Sequence, residues 1–172
     1  MDINFWIWMF LIVFMLHNFE EIFTIEYWFN RIYPVTKERI PLYIIQQMEK
    51  SKSMTAGQFT IAVFVLFLVV SVLLIISVTT KFYFLFLGAN IFFAINIIIH
   101  PIQALFLRRY VPGLWTSVVL ILPYNLILFK MLYQEDMLDT SMIILSLIVG
   151  ALFVPLLLLS HKIADLWKQR FT

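Results

Sequence analysis

The stretch IAVFVLFLVVSVLLIISV, residues 61–78, decides the fold class because it contains no charged residue. A helix needs about 20 predominantly apolar residues to cross the hydrocarbon core of a bilayer, and this stretch is nearly that long. Residues 142–160, MIILSLIVGALFVPLLLLS, are of the same kind, and three further apolar runs accompany these two. The sequence therefore predicts one membrane domain, residues 1–172, forming an all-α bundle of five transmembrane helices at 4–28, 57–79, 82–107, 114–133 and 141–160.

Composition agrees with this fold class and excludes others. The chain of 172 residues is 63% hydrophobic and 13% charged, whereas a soluble domain is roughly 45–50% apolar. A net charge of +2 without a basic run predicts no nucleic-acid partner. The absence of cysteine excludes disulfides and thiolate ligands. The first apolar run follows Asp2 and lacks the basic region of a signal peptide, so we expect it to remain in the mature protein.

The basic residues predict how the bundle is oriented. Ten of the twelve lie on one predicted side, in the first and third connections and the C-terminal tail, and only Lys81 and Lys130 lie on the other. The ten are Arg31, Lys37, Arg39, Lys50, Lys52, Arg108, Arg109, Lys162, Lys168 and Arg170. Because basic residues favour the cytoplasmic side, we expect the N-terminus outside and the C-terminus in the cytoplasm, in the inner (plasma) membrane.

The long first connection, residues 30–56, is predicted to be cytoplasmic and amphipathic. Pro41, Ile44, Ile45 and Met48 recur in it at helical spacing, with polar residues on the other faces. This pattern predicts a short helix lying on the membrane surface. A solvated loop with a few apolar residues is the alternative that the sequence leaves open.

Two of the predicted helices carry polar side chains at positions where a simple anchor has none. In the first helix His17, Glu20, Glu21 and Thr24 share one face, and in the third helix Asn96, His100 and Gln103 share one face. His17 lies thirteen helical steps after Asn4, and Asn96 lies fourteen steps after Phe82, which is roughly 20 Å and 21 Å of helix. We therefore expect both faces at one depth, directed toward each other.

These residue types predict a metal centre. His17, His100 and one of Glu20 and Glu21 would bind a divalent metal, with zinc favoured over iron or manganese. The other glutamate would then activate water as a general base. Asn96 and Gln103 would orient ligands or polarise a carbonyl. The alternative is that the histidines and glutamates only hydrogen-bond to one another and hold the two helices together.

Other polar residues are weaker candidates. Tyr110 lies in the turn after the third helix and either reaches the site with its hydroxyl or anchors at the headgroup level. His161 is a reserve metal ligand, although a solvated helix end explains it better. Arg108 and Arg109 fit the orientation rule better than substrate binding. The polar residues of the fourth helix are dispersed and predict no chemistry: Thr116, Ser117, Tyr124 and Asn125.

Three motifs in order resemble a known family. Residues 17–21 spell HxxEE, residues 96–100 spell NxxxH and residues 110–113 spell YxPG. Together they resemble the HXXEE family of bacterial membrane proteins. The resemblance implies a candidate active site but no particular reaction, and it points to His17, Glu20, Glu21, Asn96, His100, Tyr110 and Gly113.

Three functions are compatible with these residues. The leading hypothesis is a metal-dependent membrane enzyme that acts as a hydrolase near the cytoplasmic face. Its expected partners are membrane lipid or another hydrophobic small molecule. A redox metal acting on an acyl chain or terpenoid would use similar ligands. The second is a proton- or ion-coupled transporter, for which a homo-oligomer would supply repeated halves. The third is a non-catalytic scaffold, which does not explain carboxylates placed at matching depth.

The orientation is testable because the chain has no cysteine. Single cysteines at position 50 and in the 135–140 turn should label differently with a membrane-impermeant reagent in intact cells. We expect labelling of the turn and protection of position 50. Labelling of position 50 from outside would reverse the predicted orientation.

Overall fold

A computed structural model of the chain describes residues 2–40, 42, 45 and 55–171. Five helices in this part of the chain are long and apolar enough to cross a membrane. They are α1 (Ile3–Thr36), α2 (Ala56–Thr80), α3 (Tyr83–Leu107), α4 (Leu114–Gln134) and α5 (Thr140–Phe171). The prediction of an all-α bundle of five helices is therefore confirmed, while the orientation in the membrane stays a prediction.

The helices differ from the predicted ones mainly in length. The polar residues after residue 28 do not end α1, which continues through a π-helical turn at Trp28–Ile32 and a short helix at Tyr33–Thr36. Likewise α5 continues past residue 160 through its charged C-terminal part. The apolar composition of a segment predicts where a helix leaves the lipid. The helical hydrogen bonds continue past that residue, so the observed helices are longer than the predicted ones. Most of the predicted surface helix, including Pro41, Ile44 and Met48, lies outside the described residues.

A large apolar core holds the bundle together, and apolar side chains also cover its outside. The core includes Phe10, Leu74, Phe86 and Leu128, all fully buried. In contrast, many large apolar side chains are exposed, such as Phe23 at 78%. Soluble proteins rarely expose apolar surface over a whole bundle, whereas lipid-facing helices do so.

Small residues bring α3 and α5 into backbone contact. A Cβ atom on Gly88 would lie 2.6 Å from the Val149 Cβ and 2.7 Å from the Ser146 carbonyl oxygen. A Cβ atom on Gly150 would lie 3.2 Å from the Gly88 carbonyl oxygen. Close approach through small residues is how membrane helices gain packing energy without a hydrophobic driving force.

Irregular turns occur at the polar end of the bundle. Helix α3 is interrupted at Ile95, and α4 contains a π-helical turn at Ser117–Ile121. Single π-helical turns often accompany functional sites.

The Asn125 side-chain amide donates a hydrogen bond to the Ile121 carbonyl oxygen at 2.9 Å and accepts one from the Asn90 side-chain amide at 2.8 Å. These bonds pair buried polar groups between α3 and α4.

A candidate metal centre between α1, α3 and α4

Three predicted ligands converge at one end of the bundle. His17, Glu21 and His100 each place one donor atom within 4.8 Å of the others. Glu21 Oε1 lies 3.4 Å from His100 Nε2 and 3.8 Å from His17 Nε2. Both histidines are buried, and Glu21 is 17% exposed. The helical spacing in α1 and α3 therefore brings these three side chains together, as predicted from depth and face.

The distances from Glu21 to the two histidines are close to those around a small tetrahedral metal ion. Two ligands each ~2.0–2.1 Å from a tetrahedral zinc ion lie ~3.4 Å apart. The distance from Glu21 to His100 matches this value, and the distance from Glu21 to His17 requires a shift of a few tenths of an ångström. His17 Nε2 and both ring nitrogens of His100 have no hydrogen-bond partner although they are buried. Unpaired buried polar atoms are costly, and a bound ion would satisfy those facing the cluster.

Glu20 occupies a different position from Glu21. Its carboxylate accepts hydrogen bonds from the Thr116 hydroxyl at 2.6 Å, the Thr116 amide at 2.7 Å and the Trp115 amide at 3.2 Å. It also accepts from the Tyr110 hydroxyl at 2.7 Å. The predicted roles of Glu20 as metal ligand or general base do not match this arrangement, because both oxygens are already engaged. Glu20 instead secures the N-terminus of α4.

Thr116 links Glu20 to His17 and was missed by the sequence analysis. Its hydroxyl donates to Glu20 Oε2 and lies 2.8 Å from His17 Nδ1. Since its hydrogen is directed to the carboxylate, the hydroxyl oxygen accepts from His17 Nδ1–H. His17 Nε2 is then the unprotonated nitrogen, and it faces Glu21 and His100. In other metal sites, a carboxylate that hydrogen-bonds to a ligand histidine fixes the orientation of the ring and makes the histidine a more basic metal ligand.

The YxPG turn closes over the cluster. A Cβ atom on Gly113, whose φ is +80°, would lie 2.7 Å from His17 Cε1 and 2.9 Å from His100 Nε2. Only glycine fits this position easily, by conformation and by space. Trp28 donates to the Tyr110 carbonyl oxygen at 2.8 Å, which fixes the turn against α1. Burial raises the pKa of Tyr110 above its usual range, so its hydroxyl stays protonated and donates to Glu20.

The remaining predicted residues lie around two cavities. A cavity of about 390 Å³ lies against His17, Glu21, Asn96 and His161. A second of about 250 Å³ lies against Glu21, His100 and Gln103. Asn96 makes no side-chain hydrogen bond among the described residues, and His161 is not part of the three-residue cluster. Glu21 therefore borders both cavities. The side-chain amide of Asn96 borders the larger cavity, and that of Gln103 borders the smaller one.

A helical bundle of membrane-spanning length with a buried His/Glu cluster defines a polytopic membrane protein with a candidate intramembrane metal site. The family model described as "Protein of unknown function with HXXEE motif" matches residues 8–128, and the chain belongs to this HXXEE family. It is 26% identical over 160 residues to "Uncharacterized protein YrkK" of Bacillus subtilis (strain 168), covering 87% of this chain and 89% of that protein. No solved structure gives a significant match.

Substituting Gly113 by Ala should destabilise the site. The added methyl group requires His17 and His100 to move, and the left-handed backbone costs roughly 1–2 kcal/mol for a residue with a Cβ. We expect a lower unfolding midpoint in detergent, measured by circular dichroism. Gly57→Ala is the control, because Gly57 lies inside α2 with its nearest neighbour atom at 3.7 Å. Equal midpoints for the two variants would contradict the close approach.

Substituting Thr116 by Val should change the tautomer of His17. The hydroxyl that fixes the proton on Nδ1 is lost, whereas Thr116→Ser retains it. Nitrogen NMR of histidine-labelled protein measures this directly, because the chain has only three histidines. We expect a single Nδ1–H form in the native protein and in the Ser variant, and a mixture in the Val variant. Ser117→Ala, a neighbour whose hydroxyl has no partner, is the control; a native tautomer in the Val variant would contradict the relay.

Proposed function

We propose that the protein is a zinc-dependent membrane hydrolase acting on an ester bond of a lipid. The observation that carries this proposal is the set of three donor atoms within 4.8 Å, with imidazole nitrogens that lack partners. Two histidines and one glutamate are a ligand set of catalytic zinc sites, in which the fourth position takes water. A metal held there would polarise the ester carbonyl and lower the pKa of a bound water.

The chain's own residues have separate roles in this proposal. His17, His100 and Glu21 hold the metal, while Glu20 and Thr116 keep the lone pair of His17 Nε2 directed inward. In the reaction the water oxygen bonds to the carbonyl carbon, the bond to the leaving oxygen breaks, and a proton from water passes to that oxygen. No second glutamate is needed as a base, because water bound to zinc ionises near neutral pH.

The two cavities support a membrane substrate. The larger cavity has a mostly apolar lining and reaches the cluster from the middle of the bundle. The smaller one reaches Glu21 and His100 past Gln103 and the Pro112 turn. Both cavities are lined mostly by apolar residues. We propose that the apolar part of the substrate occupies the larger one, and that the polar product leaves through the smaller one, which lies beside the turn between α3 and α4. By the orientation proposed from the basic residues, the smaller cavity faces the cytoplasm.

A proton-coupled transporter is the second candidate, favoured by one observation. Glu21 borders both cavities, and a carboxylate between two spaces is how proton relays are built in carriers. Acidification of vesicles containing the protein, measured with an internal pH dye, tests this candidate. Proton flux that is lost in Glu21→Gln, without any metal in the purified protein, would favour transport over hydrolysis.

Metal analysis of purified variants tests the leading proposal. We expect one zinc ion per chain by plasma mass spectrometry, falling to background in His17→Ala, His100→Ala and Glu21→Gln. Thr116→Val should weaken zinc binding by about 10–100-fold. His161→Ala is the matched control, because this histidine borders the same cavity without joining the cluster, and it should keep its zinc. The proteins should release fatty acid from phospholipid vesicles in proportion to their zinc content.

The alternative of a purely structural cluster predicts the reverse. If histidine–glutamate pairs only held α1 and α3 together, His100→Ala would lower the unfolding midpoint strongly and the native protein would contain no metal. A metal-free native protein whose stability depends on His100 would overturn the proposal.

A further inference from the structure

The larger cavity is elongated along the helix axes. Along α1 it is lined from Phe10 to Glu21, and along α2 from Phe59 to Val70. Each row covers eleven helical steps, or about 16 Å, which is about half of the ~30 Å hydrocarbon core. The cavity therefore runs in the direction that lipid chains take in a bilayer.

Its size suits an acyl chain. The volume of about 390 Å³ lies within the roughly 300–1,000 Å³ of ordinary ligand pockets. The length of about 16 Å accommodates an extended chain of medium length.

The two ends of the cavity have different chemistry. Helices α1, α3 and α5 run in one direction, and each lines the cavity with apolar residues first and polar residues later: His17 and Glu21 on α1, Asn96 on α3 and His161 on α5. Two buried ring nitrogens at this polar end, His17 Nε2 and His161 Nδ1, have no partner among the described residues.

The apolar end of the cavity is formed by buried side chains. It is lined by Phe10, Val70, Ala89 and Phe153, which are all at most 4% exposed. Exposed side chains line the cavity nearer its polar end, at Ile95 and Ile99. A chain that enters from that side has its far end against packed side chains, and these limit its length.

We propose that this cavity binds an unbranched acyl chain, with the polar head beside His17 and Glu21 and the methyl end against Phe10, Val70 and Ala89. The proposal rests on the proposed function in that the chain belongs to the substrate, and it identifies the substrate class as an acyl lipid. Burial of the methylene groups supplies the binding free energy, while the unpaired polar groups at the other end fix the head.

Photolabelling of the full chain in vesicles tests the proposal without metal. The probe is dodecanol with a diazirine at its last carbon, used in the presence of a chelator, and crosslinks are mapped by peptide mass spectrometry. We expect most crosslinks at the buried apolar end of the cavity. Crosslinks chiefly at lipid-facing positions such as Phe64, which is 56% exposed, would overturn the proposal.

A matched pair of variants separates the cavity from the lipid-facing surface. Val70→Phe fills the apolar end, whereas Val72→Phe makes the same change on the same helix at a residue that is 55% exposed. We expect Val70→Phe to lower the internal labelling by dodecanol at least several-fold and to leave labelling by the shorter octanol probe unchanged. Val72→Phe should change neither. Equal effects of the two substitutions, or loss of both probes in Val70→Phe, would overturn a length-limiting wall.

Two further arms identify the chain and separate the proposals. A farnesol probe, whose main chain is as long as that of dodecanol, should label internally less than dodecanol, and stronger labelling would overturn the assignment to an unbranched chain. Internal labelling of a protein that contains no zinc would uphold this inference and reject the proposed function. A protein that contains zinc but is labelled only at lipid-facing positions would uphold the proposed function and reject this inference.

Discussion

The carboxylate of Glu20 is the interaction on which the site depends. It accepts hydrogen bonds from two backbone amides and two hydroxyl groups of residues 110–116. These bonds hold the start of α4 against the middle of α1. The first amides of a helix have no partner within the helix and carry partial positive charge, which makes them suited to a carboxylate. Glu20 is only partly buried, and these bonds give its carboxylate and the two amides partners within the protein. Once they form, Gly113 lies over the cluster and Thr116 reaches His17.

Adjacent glutamates can serve different purposes because successive helical residues project about 100° apart. Glu20 faces α4, where donors surround it, and Glu21 faces α3, where His100 meets it at 3.4 Å without a donor from the backbone. The first carboxylate is therefore saturated by protein groups, and the second retains capacity for a ligand from outside. The paired acidic residues of the HxxEE motif thus combine a structural anchor with an open position in a single helical turn.

The sequence predicted the helices and the convergence of α1 and α3 because both follow from apolar run length and helical spacing. It did not distinguish Glu20 from Glu21, since spacing places both near one face and the difference lies in what α4 supplies. The donors to Glu20 include backbone amides of Trp115 and Thr116, which have no signature in side-chain identity. One feature of the sequence could have identified Thr116. It follows Gly113 by three residues and so lies in the first turn of α4, which begins at the same depth as the polar faces of α1 and α3. The cavity depends on tertiary packing and has no local pattern.

Two polar clusters lie within the same bundle, and they differ in what adjoins them. Asn90 and Asn125 bond to each other, and Asn125 bonds in turn to the backbone of α4, although Asn90 Oδ1 has no partner among the described residues. His17, Glu21 and His100 lie close together, leave three ring nitrogens without a hydrogen-bond partner, and adjoin cavities on two sides. An unpaired buried polar atom costs about 1–3 kcal/mol, and a ligand recovers that cost only where there is space for it. The unpaired ring nitrogens beside the two cavities are therefore the better candidates for a group that binds there.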